Sequence, residues 1–569
     1  MLLACAIAVS PNLADADLWG HVLYGSDTLS RGISPTTTYS FTASGYPWMN
    51  HENLSEIVLA IVANAGGGMG LMTMKCLLGL VVIGLVLQAG HRSNLSMMVR
   101  CAVSLLVSVN LAYHWSVRPQ IFSYTLFAVL IGLVSYSFSG WEGAWQLPWF
   151  RRLARAQPGD FPKYNSNRMR CLWWAVPLMF VWANTHGGFV AGFCIYTVLL
   201  LCRSVEALCN WGHQAWGLVR RFALMILVAG LATLVNPYGP GLHWWLFNSL
   251  GQPRPEIVEW HPPEIFSWLT LPLLMIASIW LLTLVFSRRQ LDFSQLVVLG
   301  FTLWQCFLHQ RHVPFFAILF GYWVSPHVES LWQRFHKAKV RVSLDSEMKP
   351  TIRCVVITAL CFGILILAGQ LTSRLKSLDV KRDVYPVAAF QYMYDMNFRG
   401  KLVVTYNWAQ YAIAAFGSDH RMRVGFDGRF RTCYPQSIVD MHFDFILGNG
   451  SREHRCRSLK SLPFQADRVL WFRDPDLVLV NRQQTHSLET LKRHQKEWVL
   501  LYQDQVAQLW GRSNQFDNPS HANFLPKSHR VVTDAIQTGV VSWPALPARM
   551  QRVQAIAELP IDIDRFDET

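Results

Sequence analysis

Charge is scarce in this 569-residue sequence: only 15% of its residues are Asp, Glu, Lys or Arg, while 52% are hydrophobic. A soluble globular chain carries about 25% charged residues. The shortfall and a mean hydropathy of +0.21 point to lipid as the solvent for much of the chain. The 12 cysteines form no Cys-x-x-Cys pair and no zinc-like spacing, which excludes the common structural zinc modules. Most, such as Cys76, Cys101, Cys194, Cys306 and Cys361, lie inside apolar runs and read as small hydrophobes. Cys433 and Cys456 fall in the polar C-terminal third, where a disulfide between them is one alternative. There is no P-loop to power a pump and no matched pair of broken hydrophobic segments to mark a secondary transporter. No ordinary signal peptide is visible either. The stretch 1–13 is apolar, short and not preceded by a basic residue, and is expected to be the end of a first membrane helix.

What is present is a succession of apolar runs, near 69–89, 97–113, 121–139, 171–183, 187–202, 222–235, 268–286, 294–308, 313–325 and 352–371. They predict about ten membrane helices. The 24 Trp and 33 Phe suit a protein with rings at the bilayer interface. The net charge of +14 suggests nucleic acid at first sight, but its distribution argues otherwise. Lys and Arg concentrate in alternate loops: Arg92 and Arg100; Arg151, Arg152, Arg155, Lys163, Arg168 and Arg170; Arg203, Arg220 and Arg221; Arg288 and Arg289; Arg334, Lys337, Lys339, Arg341, Lys349 and Arg353. The opposite loops hold little beyond Arg31, Arg118, Arg254 and Arg311. The basic set therefore faces the cytoplasm, and no nucleic-acid partner is needed to explain the charge. The loops 15–56, 113–120, 184–186, 236–267 and 309–313 are then extracytoplasmic, as is everything after the last helix.

The domain reading follows: a multi-spanning domain over 1–371 with a long first outer loop (14–56), a periplasmic α/β domain over 372–513, and a poorly ordered tail over 514–569, rich in Pro, Ser and Asn. The fold class expected is an α-helical polytopic membrane protein with a C-terminal soluble α/β domain. In that domain 384–394 has helical spacing. The stretches 401–406, 423–426, 468–472, 477–481 and 498–502 read as short strands, with 505–510 as a further candidate.

The polar clusters all fall on the outer side. Asp15, Asp17 and His21 stand within one turn-rich stretch just past the first apolar run. Such a group can act as a general base or hold a divalent metal, and Asp15 equally suits a helix cap. Further along the loop come Trp48, Asn50, His51, Glu52 and Glu56. No second His follows His51 at the zincin spacing, which excludes that motif, although a metal site of His51 and Glu52 shared with His21 stays open. Arg118 either snorkels or clamps a phosphate. Asn184 and His186, followed by Gly187 and Gly188, open an inward helix, where glycine allows close approach and a helix N-terminus attracts anions. Glu259, Trp260 and His261 share the loop 236–267, and Arg311 lies at another outer edge. Ionisable groups at membrane depth are costly, so their convergence is a functional-site hypothesis.

Taken in order, these residues resemble the GT-C-type membrane glycosyltransferases, in particular a protein-mannosyltransferase-like and Rgt-like bacterial branch. The resemblance rests on Asp15-x-Asp17-x-Trp19-x-His21, Gly32-Ile-Ser-Pro35, Tyr39-Ser-Phe-Thr42, Gly45-x-Pro-Trp48 and His51-Glu52-x-Leu-Ser-Glu56. It continues through Arg118-Pro119-Gln120, Asn184-x-His186-Gly187, Asn236-Pro-Tyr-Gly239, Glu259-Trp260 and Arg311, then Tyr406-Asn-Trp408, Phe426-Asp-Gly-Arg429 and Tyr434. The chain departs from the pattern at Gly20, where a second aromatic is usual, and at Gln410, where glycine is usual. The resemblance implies transfer of a sugar from a polyprenyl-phosphate donor to an envelope acceptor at the outer face of the bacterial inner membrane. Asp15 or Asp17, with His21, would be catalytic. Arg118, Asn184, His186, Glu259, His261, Arg311 and Trp48 would bind substrate, and the base would act either directly or with a divalent metal, for which the residues themselves offer His51 and Glu52. One cavity gathering both sets is expected. The alternative is a non-catalytic membrane-anchored binding or assembly module.

Overall fold

The computed structural model describes residues 1–141, 166–335, 350–417, 421–450 and 455–548. Most of two basic stretches, Arg151 to Lys163 and Lys337 to Lys349, and the end of the expected tail, 549–569, lie outside the described residues. The protein is a polytopic helical membrane protein with a C-terminal α/β domain. Two compact units form: residues 1–12 with 51–377, and residues 13–50 with 378–569.

The first unit is helical because its apolar runs must satisfy every backbone N–H and C=O internally in lipid. Four of its described helices are long and apolar enough to cross a membrane: Asn53–Arg92, Gln120–Ser137, Phe189–Thr233 and Thr351–Lys376. Met97–Ala112, Leu271–Phe286 and Phe293–Leu308 are shorter and also apolar. The helix Asn53–Arg92 has 40 residues, about twice the length that the hydrocarbon core requires. It breaks at Gly67, whose φ of 56° is one that glycine adopts without strain. One buried arginine inside the bundle is paired with two carboxylates. Arg203, on the helix Phe189–Trp211, binds Glu206 at 2.8 Å and also Asp292, and its guanidinium lies over Phe138 and Trp141.

The second unit is built on a six-stranded mixed sheet. Its strands are β2 (Gly400–Val404), β3 (Met422–Val424), β4 (Leu477–Asn481), β5 (Trp498–Gln503), β6 (Ala507–Arg512) and β7 (Val531–Val532), in the order β3-β2-β4-β6-β5-β7. The pairs β2–β3 and β2–β4 are parallel and β4–β6–β5 is antiparallel. Leu477, Val478, Leu479 and Val480 of β4 are all fully buried, as expected for a strand covered on both faces. A separate pair joins β1 (Asp379–Lys381) to β8 (Val540–Ser542).

Three local features differ from the sequence reading. Arg468–Leu470 is a 3₁₀ turn, not a strand; its buried Val469 and Leu470 give the same apolar signal in either state. Residues 513–548 are folded, contributing β7 and β8. Cys433 and Cys456 are free thiols, Cys433 fully buried. The segment 13–50 belongs to this unit as well, while 51–56, which the sequence reading placed in the same loop, belong to the first. Ser40 bridges to Val424 on the exposed side of β3, with Phe41 N–H donating to Val424 and Val424 N–H to Tyr39. The loop thereby covers an edge that would otherwise offer unpaired backbone groups.

Candidate functional site

In the first unit the helix ends and the loops between them hold two polar clusters. The first surrounds Trp260. Arg311 and Arg254 both place their guanidinium carbons over its ring, 4.5 and 4.7 Å from the centroid. Arg254 also donates to Ser249 Oγ at 2.6 Å. Arg118 pairs with Glu259 at 2.6 Å, and Gln120 donates weakly to the same carboxylate at 3.5 Å. Burial lowers the neighbouring His114 to about 4, the charge of Glu259 opposing this and that of Arg311 adding to it, so the ring is neutral at physiological pH. The loop is held by backbone carbonyls. His261 Nε2 meets Pro255 O at 2.6 Å, His309 Nδ1 meets Trp260 O at 2.6 Å, and Gln310 donates to Val258 O at 2.7 Å. Among the described residues, the Arg311 side chain makes no hydrogen bond and no ion pair; its guanidinium stacks on Trp260, and its backbone O accepts from Tyr124 OH at 3.5 Å.

The second cluster is built around His186. Gly188 N–H donates to His186 Nδ1 at 2.9 Å, so Nδ1 is an acceptor and a neutral ring carries its proton on Nε2. That nitrogen lies 3.4 Å from Glu52 Oε1. Ser123 Oγ, which accepts from Trp182 Nε1 at 2.7 Å, lies 2.9 Å from the same Nδ1 and directs its hydroxyl there. His51 Nε2 approaches Glu52 from another side at 3.9 Å. Glycine leaves room twice: a Cβ at 188 would collide with Ser123 Oγ and His186, and one at 187 would crowd the His51 ring. Asn184, by contrast, is a clamp. Its amide donates to Phe180 O and Val235 O, and its backbone O accepts from Leu54 N–H.

In the second unit Asp15 and Asp17 separate in role. Asp15 Oδ1 accepts from Asp17 N–H at 3.0 Å, a local turn that starts the helix Leu18–Arg31. Asp17 points its carboxylate into the space above Gly428, where Gln410 also arrives. His21, one helical turn on, is buried. Trp19 stacks on Tyr411 at 4.6 Å and meets Tyr385 edge-on, fixing that helix against Ala409–Phe416.

Trp48 is not a free platform for a sugar ring, because it is 6% exposed and Arg429 lies over its face at 4.6 Å. Arg429 is caged by Tyr24 and Tyr39 as well. It holds Asp427 in a fork, Nε to Oδ1 at 2.9 Å and Nη2 to Oδ2 at 2.8 Å, and also bonds Thr37. Tyr434 OH donates to the same carboxylate at 2.6 Å. Burial alone would raise Asp427, but the Arg429 charge and these hydrogen bonds outweigh it and hold the carboxyl below its ordinary value.

No family pattern and no characterised protein matches the sequence itself. Comparison of folds is informative. The archaeal oligosaccharyltransferase AglB from Archaeoglobus fulgidus, solved in complex with an inhibitory peptide and a dolichol-phosphate, superposes with a TM-score of 0.51 and 11% identity over 88% of this chain and 72% of that one. The apo form of the Archaeoglobus fulgidus oligosaccharyltransferase gives the same TM-score at 10% identity, over 84% and 69%. The fold is of the GT-C type. At this identity the likeness concerns architecture, so the GT-C frame identifies neither the sugar nor the acceptor. Sequence reasoning missed two residues of the first unit that the geometry brings forward: Ser123, whose only signal was its place inside an apolar run, and Arg254, which read as one stray basic residue in a loop.

Proposed function

We propose that the protein is a membrane glycosyltransferase, taking a sugar from a polyprenyl-phosphate-linked donor and passing it to an envelope acceptor at the outer face of the inner membrane. The observation that carries this reading is Arg311. A guanidinium half-buried in a helical membrane unit, stacked on Trp260 and claimed by no carboxylate among the described residues, calls for an anion. A lipid-linked phosphate has the right charge and reaches such a depth. Arg254 adds positive potential on the same ring, while Arg118 is already balanced by Glu259. The AglB structure was solved with a dolichol-phosphate, which agrees with a phosphate lipid as ligand. Asp17 is the residue assigned to take the proton from the acceptor hydroxyl.

The metal reading is narrower. His51 and Glu52 offer one imidazole nitrogen and one carboxylate, enough for a divalent cation that keeps several waters. His186 Nε2 lies 3.4 Å from Glu52 Oε1, where it would help to orient that carboxylate, as partners behind a metal ligand do. A bound cation would supply positive charge for the leaving phosphate.

Purified protein is expected to bind polyprenyl phosphate, and Arg311→Ala to weaken that affinity roughly tenfold to a hundredfold, as loss of a charge-assisted hydrogen bond does. Arg118→Ala should cost less, since it removes a charge already balanced. Unchanged affinity in Arg311→Ala would remove the main support for the reading. The orientation is tested separately. Alkaline phosphatase fused after residue 548 is expected to be active and a fluorescent protein there dark; the reverse pattern would place the candidate site on the cytoplasmic side.

A further inference from the structure

We propose that Gln410 positions the Asp17 carboxylate, and that residues 20 and 428 are glycine because side chains there would fill the space in which the two groups meet. The inference rests on the assignment of Asp17 as the base and names the group that holds it in place.

Three observations converge. A Cβ built on Gly428 would collide with Asp17 Oδ1 and with Gln410 Nε2, so the carboxylate and the amide share the volume that this glycine vacates. A Cβ on Gly20 would collide with the other end of the same amide, Gln410 Oε1 and Cδ. Neither glycine has the left-handed backbone that would explain it: 20 and 428 are absent from the positive-φ positions. Their lack of a side chain is therefore a matter of room for the Gln410 amide.

Gln410 itself is unusual for a core residue. It is 2% exposed, and its Oε1 has no hydrogen-bond partner among the described residues. A long amide with a buried, unsatisfied oxygen is destabilising compared with an apolar side chain of equal size. Retaining one beside a carboxylate fits a role that apolar packing cannot perform. The amide end nearest Asp17 is the donor end, which stabilises a negative oxygen. The unsatisfied Oε1 is left to accept from a hydroxyl. The neighbouring ring stack of Trp19 on Tyr411 sets the height of both helices, and hence the separation of the two groups.

The test uses the full-length protein with Asp17→Asn, Gln410→Met, Gly20→Ala and the double variant Asp17→Asn/Gln410→Met. Thermal unfolding is read alongside turnover of a panel of polyprenyl-phosphate hexoses. Methionine keeps the volume of Gln410 and removes its polar end, so a packing role would survive it. Gln410→Met is expected to remain folded and to lower kcat about tenfold, with KM for the donor unchanged. No further loss is expected in the Asp17→Asn background, and the two Tm shifts should be non-additive. Gly20→Ala should behave like Gln410→Met, because the amide is flexible enough to swing aside and leave Asp17. Full kcat in Gln410→Met, or additive Tm shifts, would overturn the proposal. If Asp17→Asn alone kept full turnover, the base assignment would fall, while the Tm cycle would still report whether Gln410 holds Asp17.

Discussion

Arg429→Ala is expected to unfold the C-terminal unit at physiological temperature. The substitution strands the Asp427 carboxylate, which is fully buried, and empties a cage formed by Tyr24, Tyr39 and Trp48. Removing one partner of a buried ion pair costs about 3–5 kcal/mol, a large share of the roughly 5–15 kcal/mol that holds a domain together. Lysine should rescue little, since it cannot reproduce the fork onto both carboxylate oxygens. Limited proteolysis of the purified protein, with cleavage sites mapped, checks the expectation: new sites should appear in the first outer loop and after residue 378 together, because the cage joins the two segments. The same pair sets an acid limit. Asp427 is held below its ordinary value in the folded state, so its contribution is complete above the usual carboxylate range and is lost as pH falls through the depressed value. Stability should therefore decline on the acid side in wild type, and this part of the decline should vanish in a variant lacking the Asp427 carboxyl.

Asp17→Asn is expected to lower sugar transfer about a hundredfold or more with little change in Tm, since the amide keeps the shape and loses the base. Asp15→Asn should lose much less, because its side-chain oxygen still accepts the Asp17 N–H that defines the turn. Steady-state transfer with both purified variants separates the two. Equal and full activity in both would dismiss a carboxylate base at this position.

How far each of these residues could be read from sequence depends on where its partner lies. The membrane helices and the strands β2, β4 and β5 were legible because hydrophobic periodicity is local, and β4 matches its expected limits, Leu477–Asn481. The stretch 468–472 was not, since a buried apolar pair in a 3₁₀ turn carries the same signal as a short strand. Asp15 and Asp17 look alike in sequence. Only the turn bond of one and the approach of Gly428 to the other tell them apart. Trp48 read as a substrate-binding residue because nothing near it in the chain reveals Arg429, nearly four hundred residues away. Gly20 and Gln410, the two positions where the chain departs from the resembled pattern, touch each other. As single positions they looked like losses; as a pair they exchange volume.

Unit two is assembled from the two ends of the chain: Trp19 Nε1 donates to Pro544 O across 525 positions, and Ala14 N–H donates to Asp379. Closing so long a loop is slow, because the entropy of bringing the ends together comes before any contact rewards it. During synthesis the segment 13–50 is made early and then waits, with Trp19, Tyr24 and Trp48 uncovered, until the last helix and the sheet have followed. Biogenesis of this protein therefore includes an interval in which an aromatic, unfolded strap is exposed to proteases and chaperones, and a chain interrupted before the final strands leaves that strap without the partners it closes upon.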